Sequence, residues 1–133
     1  MSIKENKSLV KRSFDLLMRK DEAFFDLLTR DYIGHYGDRD LSLEEEKNLD
    51  HAFLAAFSDA VATIGDMVAE GDKVAYRVTW RATHTGEFMG IAPTGKKIKL
   101  MYSAIFRISG GKLAEWWGVG EDLYQQLGAI PKQ

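Results

Sequence analysis

The sequence predicts an α+β domain in which N-terminal helices pack on a mainly antiparallel sheet of about four to six strands. In the first half, apolar residues recur three and four positions apart, the spacing of a helix face; after Asp59 they alternate with period two, the spacing of strands. No repeat, low-complexity run or Pro/Gly linker separates the halves. The 133 residues, 45% of them hydrophobic, are therefore expected to form one domain, 1–133, around one core.

The elements follow in order. Leu9, Val10, Phe14, Leu17 and Met18 lie between Lys and Arg residues at helical spacing, which predicts an amphipathic helix over residues 4–19. Asp21 is placed to cap a short second helix carrying Phe24, Phe25, Leu27 and Leu28, and the chain is expected to leave it through Tyr32–Tyr36. Ser42 with Glu45 is a capping box opening a third helix, with Leu49, Phe53, Ala56 and Phe57 on one face. Turn signals at Glu70–Lys73 and Ser109–Lys112 then divide the remainder into four strands, over 60–69, 73–84, 97–108 and 112–119. Ala92-Pro93-Thr94-Gly95 makes a turn between the second and third of these, and Glu121 or Asp122 starts a short final helix.

Composition narrows the function classes. Eighteen basic and twenty acidic residues give a net charge of -2 with no basic stripe, so nucleic acid is not an expected partner. The N-terminal residues lack the apolar core of a signal peptide and no run is long enough to span a membrane, so a cytoplasmic location is expected. With no cysteine, chemistry falls to His, carboxylates, Tyr, Lys or Arg. His35, His51 and His84 have no ligand-like spacing, and no metal is expected. Gly110-Gly111-Lys112 lacks the form of a phosphate loop, Gly118-Val119-Gly120 that of a dinucleotide turn, and no G-x-S-x-G elbow occurs. The Glu44–Glu46 run reads as a solvated helix start favoured by the helix dipole.

Strand alternation assigns faces. In 97–108, Ile98, Leu100, Tyr102, Ala104, Phe106 and Ile108 share the interior side. In 73–84, Trp80 and His84 travel together, whereas 112–119 is apolar on both sides and its orientation stays open. Helices laid over a curved sheet leave an apolar cavity where they do not fill it, a common ligand site. Trp80, Tyr102 and Trp116 suit its walls, although aromatics also pack ordinary cores. His35, before the polar stretch Tyr36-Gly37-Asp38, is expected at the cavity mouth as an acid or base. For His84, between Thr83 and Thr85, a role holding the Gly86–Gly95 segment is favoured, and His51 reads as an exposed helix residue.

The run His84–Gly95, H-T-G-x-F-x-G-x-x-P-T-G, resembles the SnoaL-like family within the nuclear-transport-factor-like and ketosteroid-isomerase-like cone fold. Asp72–Ala75, Ile105–Ile108, Gln125–Gly128 and the Tyr32–Tyr36 segment also carry the resemblance, which covers essentially the whole chain. It implies a cone-shaped α+β domain whose strongly curved sheet encloses a pocket. It further implies a cofactor-free cyclase, in which an acid/base group assists intramolecular aldol closure of a polyketide ester. In the family pattern a carboxylate follows the tryptophan of the last strand, a histidine precedes that tryptophan, and a second histidine stands on the strand before. Here Trp117 is followed by Gly118 and preceded by Trp116, and the neighbouring-strand position is Ala104. Three polar positions are apolar or small, which speaks against aldol chemistry of the family's type.

The expected catalytic residues are therefore His35 first and Asp122 second, with Glu121 as a further candidate at the rim and Tyr102 as a donor. Tyr36, Phe57, Trp80, His84, Tyr102, Ala104, Trp116 and Gly118 are the expected ligand-binding set. Three functional classes follow: an acid/base enzyme of cyclase, isomerase or hydratase type on a small apolar or aromatic substrate; a non-catalytic pocket for a small hydrophobic molecule; and an association module. A homodimer through the outer sheet face, with Met101, Ile105 and Trp117, fits all three.

Overall fold

The computed structural model describes residues 2–121 and 123–127. Helix α1 spans Ile3–Met18 and opens with a reciprocal capping box: the Ser2 side chain accepts from the Glu5 amide, and the Glu5 carboxylate accepts from the Ser2 amide. Leu9, Val10 and Phe14 are buried on its inner face. Helix α2 is one turn, Ala23–Asp26, and Asp21 Oδ1 accepts from the Ala23 amide at 2.9 Å. The strand β1, Leu28–Tyr36, follows at once, and β2 spans Arg39–Ser42. Helix α3, Leu43–Ala56, starts on the Ser42/Glu45 capping box. Then come β3 Val61–Glu70, β4 Lys73–Thr83, β5 Lys97–Ser109, β6 Lys112–Gly120 and the short α4, Leu123–Gln126.

The strands form one curved, open sheet in the order β2-β1-β6-β5-β4-β3. Strands β1 and β6 pair in parallel, and every other neighbouring pair is antiparallel. The six strands stand at the upper end of the expected range. Tyr32–Tyr36, expected to be a chain exit, is strand instead. It pairs with the nearby β2 on one side and on the other with β6, which lies far along the chain and is a partner that local sequence does not name. Leu28, expected in the second helix, is the first residue of this strand.

Alternation assigns β4 and β5 as expected: Val74, Tyr76, Val78, Trp80, Ala104 and Phe106 are buried, while Met101 and Ile105 are exposed. In β6 the register against β5 shifts, with Ile108 opposite Leu113 but Arg107 opposite Glu115. This bulge at Ala114 flips the parity, so Leu113 and Trp116, an odd number of residues apart, both turn inward. A simple period-two pattern could not decide that strand for this reason. Helices α1 and α3 cover the inner face, and the core lies between them and the sheet. Among the described residues, no helix is long and apolar enough to cross a membrane.

Candidate functional site

The inner sheet face is unusually rich in aromatic hydroxyl and indole groups, contributed by Tyr32 and Tyr36 of β1, Tyr76 and Trp80 of β4, Tyr102 of β5 and Trp116 of β6. Helix α3 crosses above them. Its residues Glu46, Leu49, Asp50 and Phe53 are three and four positions apart and therefore lie on one side of the helix. Between helix and sheet is a cavity of about 610 Å³, walled by Tyr36, Phe53, Trp80, Tyr102 and Trp116, with Asp50 on its inner surface and Arg39 and Glu121 among its lining residues. A smaller chamber of about 60 Å³ is lined by Tyr32, Tyr36, Glu46, Asp50, Tyr76 and Tyr102. Tyr36, Asp50, Tyr102 and Trp116 line both spaces.

Hydrogen bonds order this lining. The hydroxyls of Tyr32 and Tyr36 both donate to Glu46 Oε1, at 3.0 and 2.6 Å. Trp80 Nε1 donates to the Tyr102 hydroxyl at 3.1 Å, and Trp116 Nε1 to the Tyr76 hydroxyl at 2.8 Å. Burial, and then the negative charge of Glu46, push the hydroxyls of Tyr32 and Tyr36 far above the ordinary tyrosine range, so they stay neutral donors. Burial also raises Tyr76 and Tyr102. Asp50 is held protonated well above the usual carboxylate range, by burial first, then by the charge of Glu46 and a hydrogen bond with it. Glu46 itself is 4% exposed, and its Oε2 receives no fixed donor from the described chain. The two carboxyls lie side by side beneath the aromatic cavity.

Trp116 and Gly118 occupy the positions where the resemblance leads one to expect polar groups, and the geometry accounts for their partnership. A Cβ on Gly118 would come within 2.1 Å of the outer edge of the Trp116 ring. The indole therefore lies over Gly118, and only glycine leaves room for it. Ala104 pairs with Gly118 across the sheet.

The expected ligand-binding residues divide. Tyr36, Trp80, Tyr102, Trp116 and Gly118 line the cavity. Ala104 faces inward but is buried and does not line it. Phe57 is fully buried and does not line the cavity: its ring packs tilted against Phe53 and stacks on His84 at the end of the helix. His84 is likewise fully buried and does not line the cavity; its Nδ1 accepts from the Thr94 amide at 3.2 Å and lies 2.9 Å from the Thr94 hydroxyl. Backbone bonds from His84 to Lys96 and from Gly95 to His84 complete its hold on the loop.

His35 is not at the mouth of this cavity. Because Tyr32 and Tyr36 of β1 point inward, parity sends His35 to the outer face. There its Nδ1 lies 2.7 Å from Asp40 Oδ1 and its Nε2 2.6 Å from Glu115 Oε2; the ring stacks on Trp117. Arg107 Nε donates to Glu115 Oε1 at 2.9 Å. The hydrogen bonds that His35 donates to Glu115 and then to Asp40 raise its pKa, while those that Glu115 accepts from His35 and Arg107 lower its own. Asp122 lies outside the described residues. His51 is an exposed helix residue 2.8 Å from Glu22. Among the described residues, no three His, Asp or Glu side chains are grouped to hold a metal ion.

Sequence reasoning missed Glu46 and Asp50. Only Glu44 and Glu45 of the acidic run are exposed, whereas Glu46 turns inward. The signal was present: Glu46 and Asp50 fall on the same helix face as Leu49, Phe53 and Phe57, and acids on an apolar face are the informative exception.

The comparisons agree with this architecture. A family model described as SnoaL-like polyketide cyclase matches residues 10–127. Among solved structures, AclR of Streptomyces galilaeus, described as a proposed hydroxylase, is 31% identical with a TM-score of 0.87, over 98% of this chain and 89% of that one. A proposed polyketide cyclase of Acidithiobacillus ferrooxidans is 28% identical with a TM-score of 0.78, over 96% and 98% of the two chains. IdmH of Streptomyces antibioticus, also described as a proposed polyketide cyclase, is 26% identical with a TM-score of 0.78, over 93% and 99%. No curated protein matches the chain in sequence. With a match over most of its length and the same α+β cone, the chain belongs to the SnoaL-like polyketide cyclase family.

Proposed function

We propose that the protein binds a small planar, apolar or aromatic molecule between α3 and the inner sheet face and acts on it by cofactor-free, cyclase-like acid/base chemistry. The observation that carries this reading is the position of Asp50, a carboxyl on the surface of a cavity with aromatic walls, whose pKa burial and the neighbouring Glu46 raise. A neutral carboxylic acid in such a site donates a hydrogen bond to a carbonyl oxygen as negative charge develops on it. In a ring closure, a substrate C–H bond breaks and its proton passes to a carboxylate at the mouth, for which Glu121 is placed. The carbon–carbon bond then forms, and the new alkoxide takes the Asp50 proton, which leaves its hydrogen bond with Glu46. Transfer of the proton held on Glu121 back to Asp50 through the cavity restores both groups. The positions that carry the family's usual polar groups, here Trp116 and Gly118, serve as wall instead.

Asp50→Asn keeps a donor but cannot give up a proton in the same way. Its turnover of an aromatic polyketide ester, followed by mass spectrometry, is expected to fall about a hundredfold or more. Unchanged turnover removes Asp50 from the chemistry. The product mass separates ring closure, which leaves the mass unchanged or lowers it by one water, from addition of an oxygen, the chemistry named for the 31% identical relative. A second reading, a binding pocket without turnover, is favoured by the apolar substitutions at Ala104 and Trp116. Ligand retention with no product would support it.

A homodimer remains part of the proposal. The outer face carries the exposed side chains Val68, Ile105 and Val119 around a groove of about 590 Å³, and Met101 is exposed as well. It also bears charges of both signs, in the Arg77–Asp66 and Arg107–Glu115 pairs. A face of mixed sign suits a second copy of itself across a two-fold axis.

A further inference from the structure

The 60 Å³ chamber beyond the main cavity contains more hydrogen-bonding capacity than the protein uses. The hydroxyl oxygens of Tyr76 and Tyr102 already accept from Trp116 and Trp80, so their protons must point elsewhere, and among the described residues neither finds an acceptor. On the opposite side, Glu46 Oε2 is buried without a fixed donor. A carboxylate oxygen takes two hydrogen bonds, so Oε2 keeps a lone pair open even when the Asp50 proton is directed at Glu46. The lining thus holds two hydroxyl protons and one carboxylate lone pair that the protein leaves open, beside the Asp50 carboxyl. A hydroxyl matches that set, since it accepts two bonds and donates one. A carbonyl or ether oxygen leaves the open Oε2 lone pair of Glu46 unfilled, and a carboxylate or phenolate meets its charge.

We infer that this chamber is a subsite for a neutral ring hydroxyl, phenolic or enolic, of the ligand whose rings occupy the adjoining aromatic cavity. Two waters are the competing occupants, because about 30 Å³ is the share of one water in the liquid. The inference rests on the reading of the main cavity as the ligand site, and the test separates the two. Calorimetric titration of the full chain with 2-naphthol, 2-methoxynaphthalene, naphthalene and 2-naphthoate measures the contribution of the group rather than of the rings. The expected result is 2-naphthol binding roughly ten- to hundredfold tighter than naphthalene or its methyl ether, as hydrogen bonds to a charged group provide, and naphthoate binding weakest. Glu46→Gln and Tyr102→Phe, each checked for folding by circular dichroism, are expected to reduce the naphthol preference. Equal affinity for naphthol and naphthalene means that water keeps the chamber and overturns the subsite alone. Tighter naphthoate binding makes it an anion site and also overturns the inference. No binding by any of the four probes overturns the subsite together with the reading of the main cavity.

Discussion

At the scale of single residues, the chemistry depends on environment more than on identity. Asp50 is an ordinary aspartate in sequence, and what changes it is burial on an aromatic face one helical turn from the carboxylate of Glu46. Its folded-state pKa stands above the unfolded value near 3.9. Below that value both states hold the proton and stability is unaffected. Above it the unfolded carboxyl ionises while the folded one does not, so Asp50 costs stability increasingly until its folded pKa is passed. Asp50→Asn removes that cost. The variant is therefore expected to melt above the wild type at pH 7, with the difference shrinking towards pH 4; a Tm difference independent of pH would contradict the protonated state. His35 works with the opposite sign. Its raised pKa gives stability that is present below about 6.5 and lost as pH rises through the folded value. The lowered pKa of Glu115 gives stability that is present above about 4.3 and lost as pH falls through its folded value. His35→Phe, which keeps a ring against Trp117, is expected to lower Tm most in the mildly acidic interval between these limits and least near pH 9. Thermal scans across that range check it.

At the scale of elements, strand β6 decides the shape of the cavity wall. Its bulge brings Leu113 and Trp116 to one face, and Gly118 provides the space over which the Trp116 indole lies. Adding one methyl there drives the ring away from its place and from its hydrogen bond with Tyr76. Gly118→Ala is expected to destabilise the protein by about 1–3 kcal/mol, the cost of overpacking, measurable by urea unfolding. A cost near zero would mean that the indole has other room. Helix α3 shows how much the local pattern already contained. The Ser42/Glu45 capping box and the apolar Leu49, Phe53 and Phe57 stripe are legible as helix and face, and Glu46 and Asp50 lie on that same stripe. Their acidity suggested solvent, whereas the inner tyrosines and the partner carboxyl make burial possible. Strand β1 was illegible for another reason: it is held between the short β2 and the distant β6, and its place in the sheet depends on both.

At the scale of the whole molecule, the sheet separates two surfaces with different work. The inner face encloses the aromatic cavity, while the outer face presents Val119 at 82% and Val68 at 65% exposure beside Met101 and Ile105. Exposed apolar area of this kind is normally covered in solution, and a second copy is the proposed cover. Sedimentation is expected to show twice the 15.0 kDa chain mass, and Ile105→Glu to return the monomer. A species of 15.0 kDa alone at high protein concentration would end the dimer proposal. The sequence by itself determined the α+β class, the capped helices, the four C-terminal strands and the family, because capping, turn chemistry and hydrophobic period act between residues close along the chain. Only the tertiary structure decided that His35 faces outward, that β1 joins the sheet beside β6, and that Glu46 and Asp50 meet the tyrosines in one cavity. Those outcomes depend on strand partners and on burial, and both are set by contacts between residues far apart in sequence.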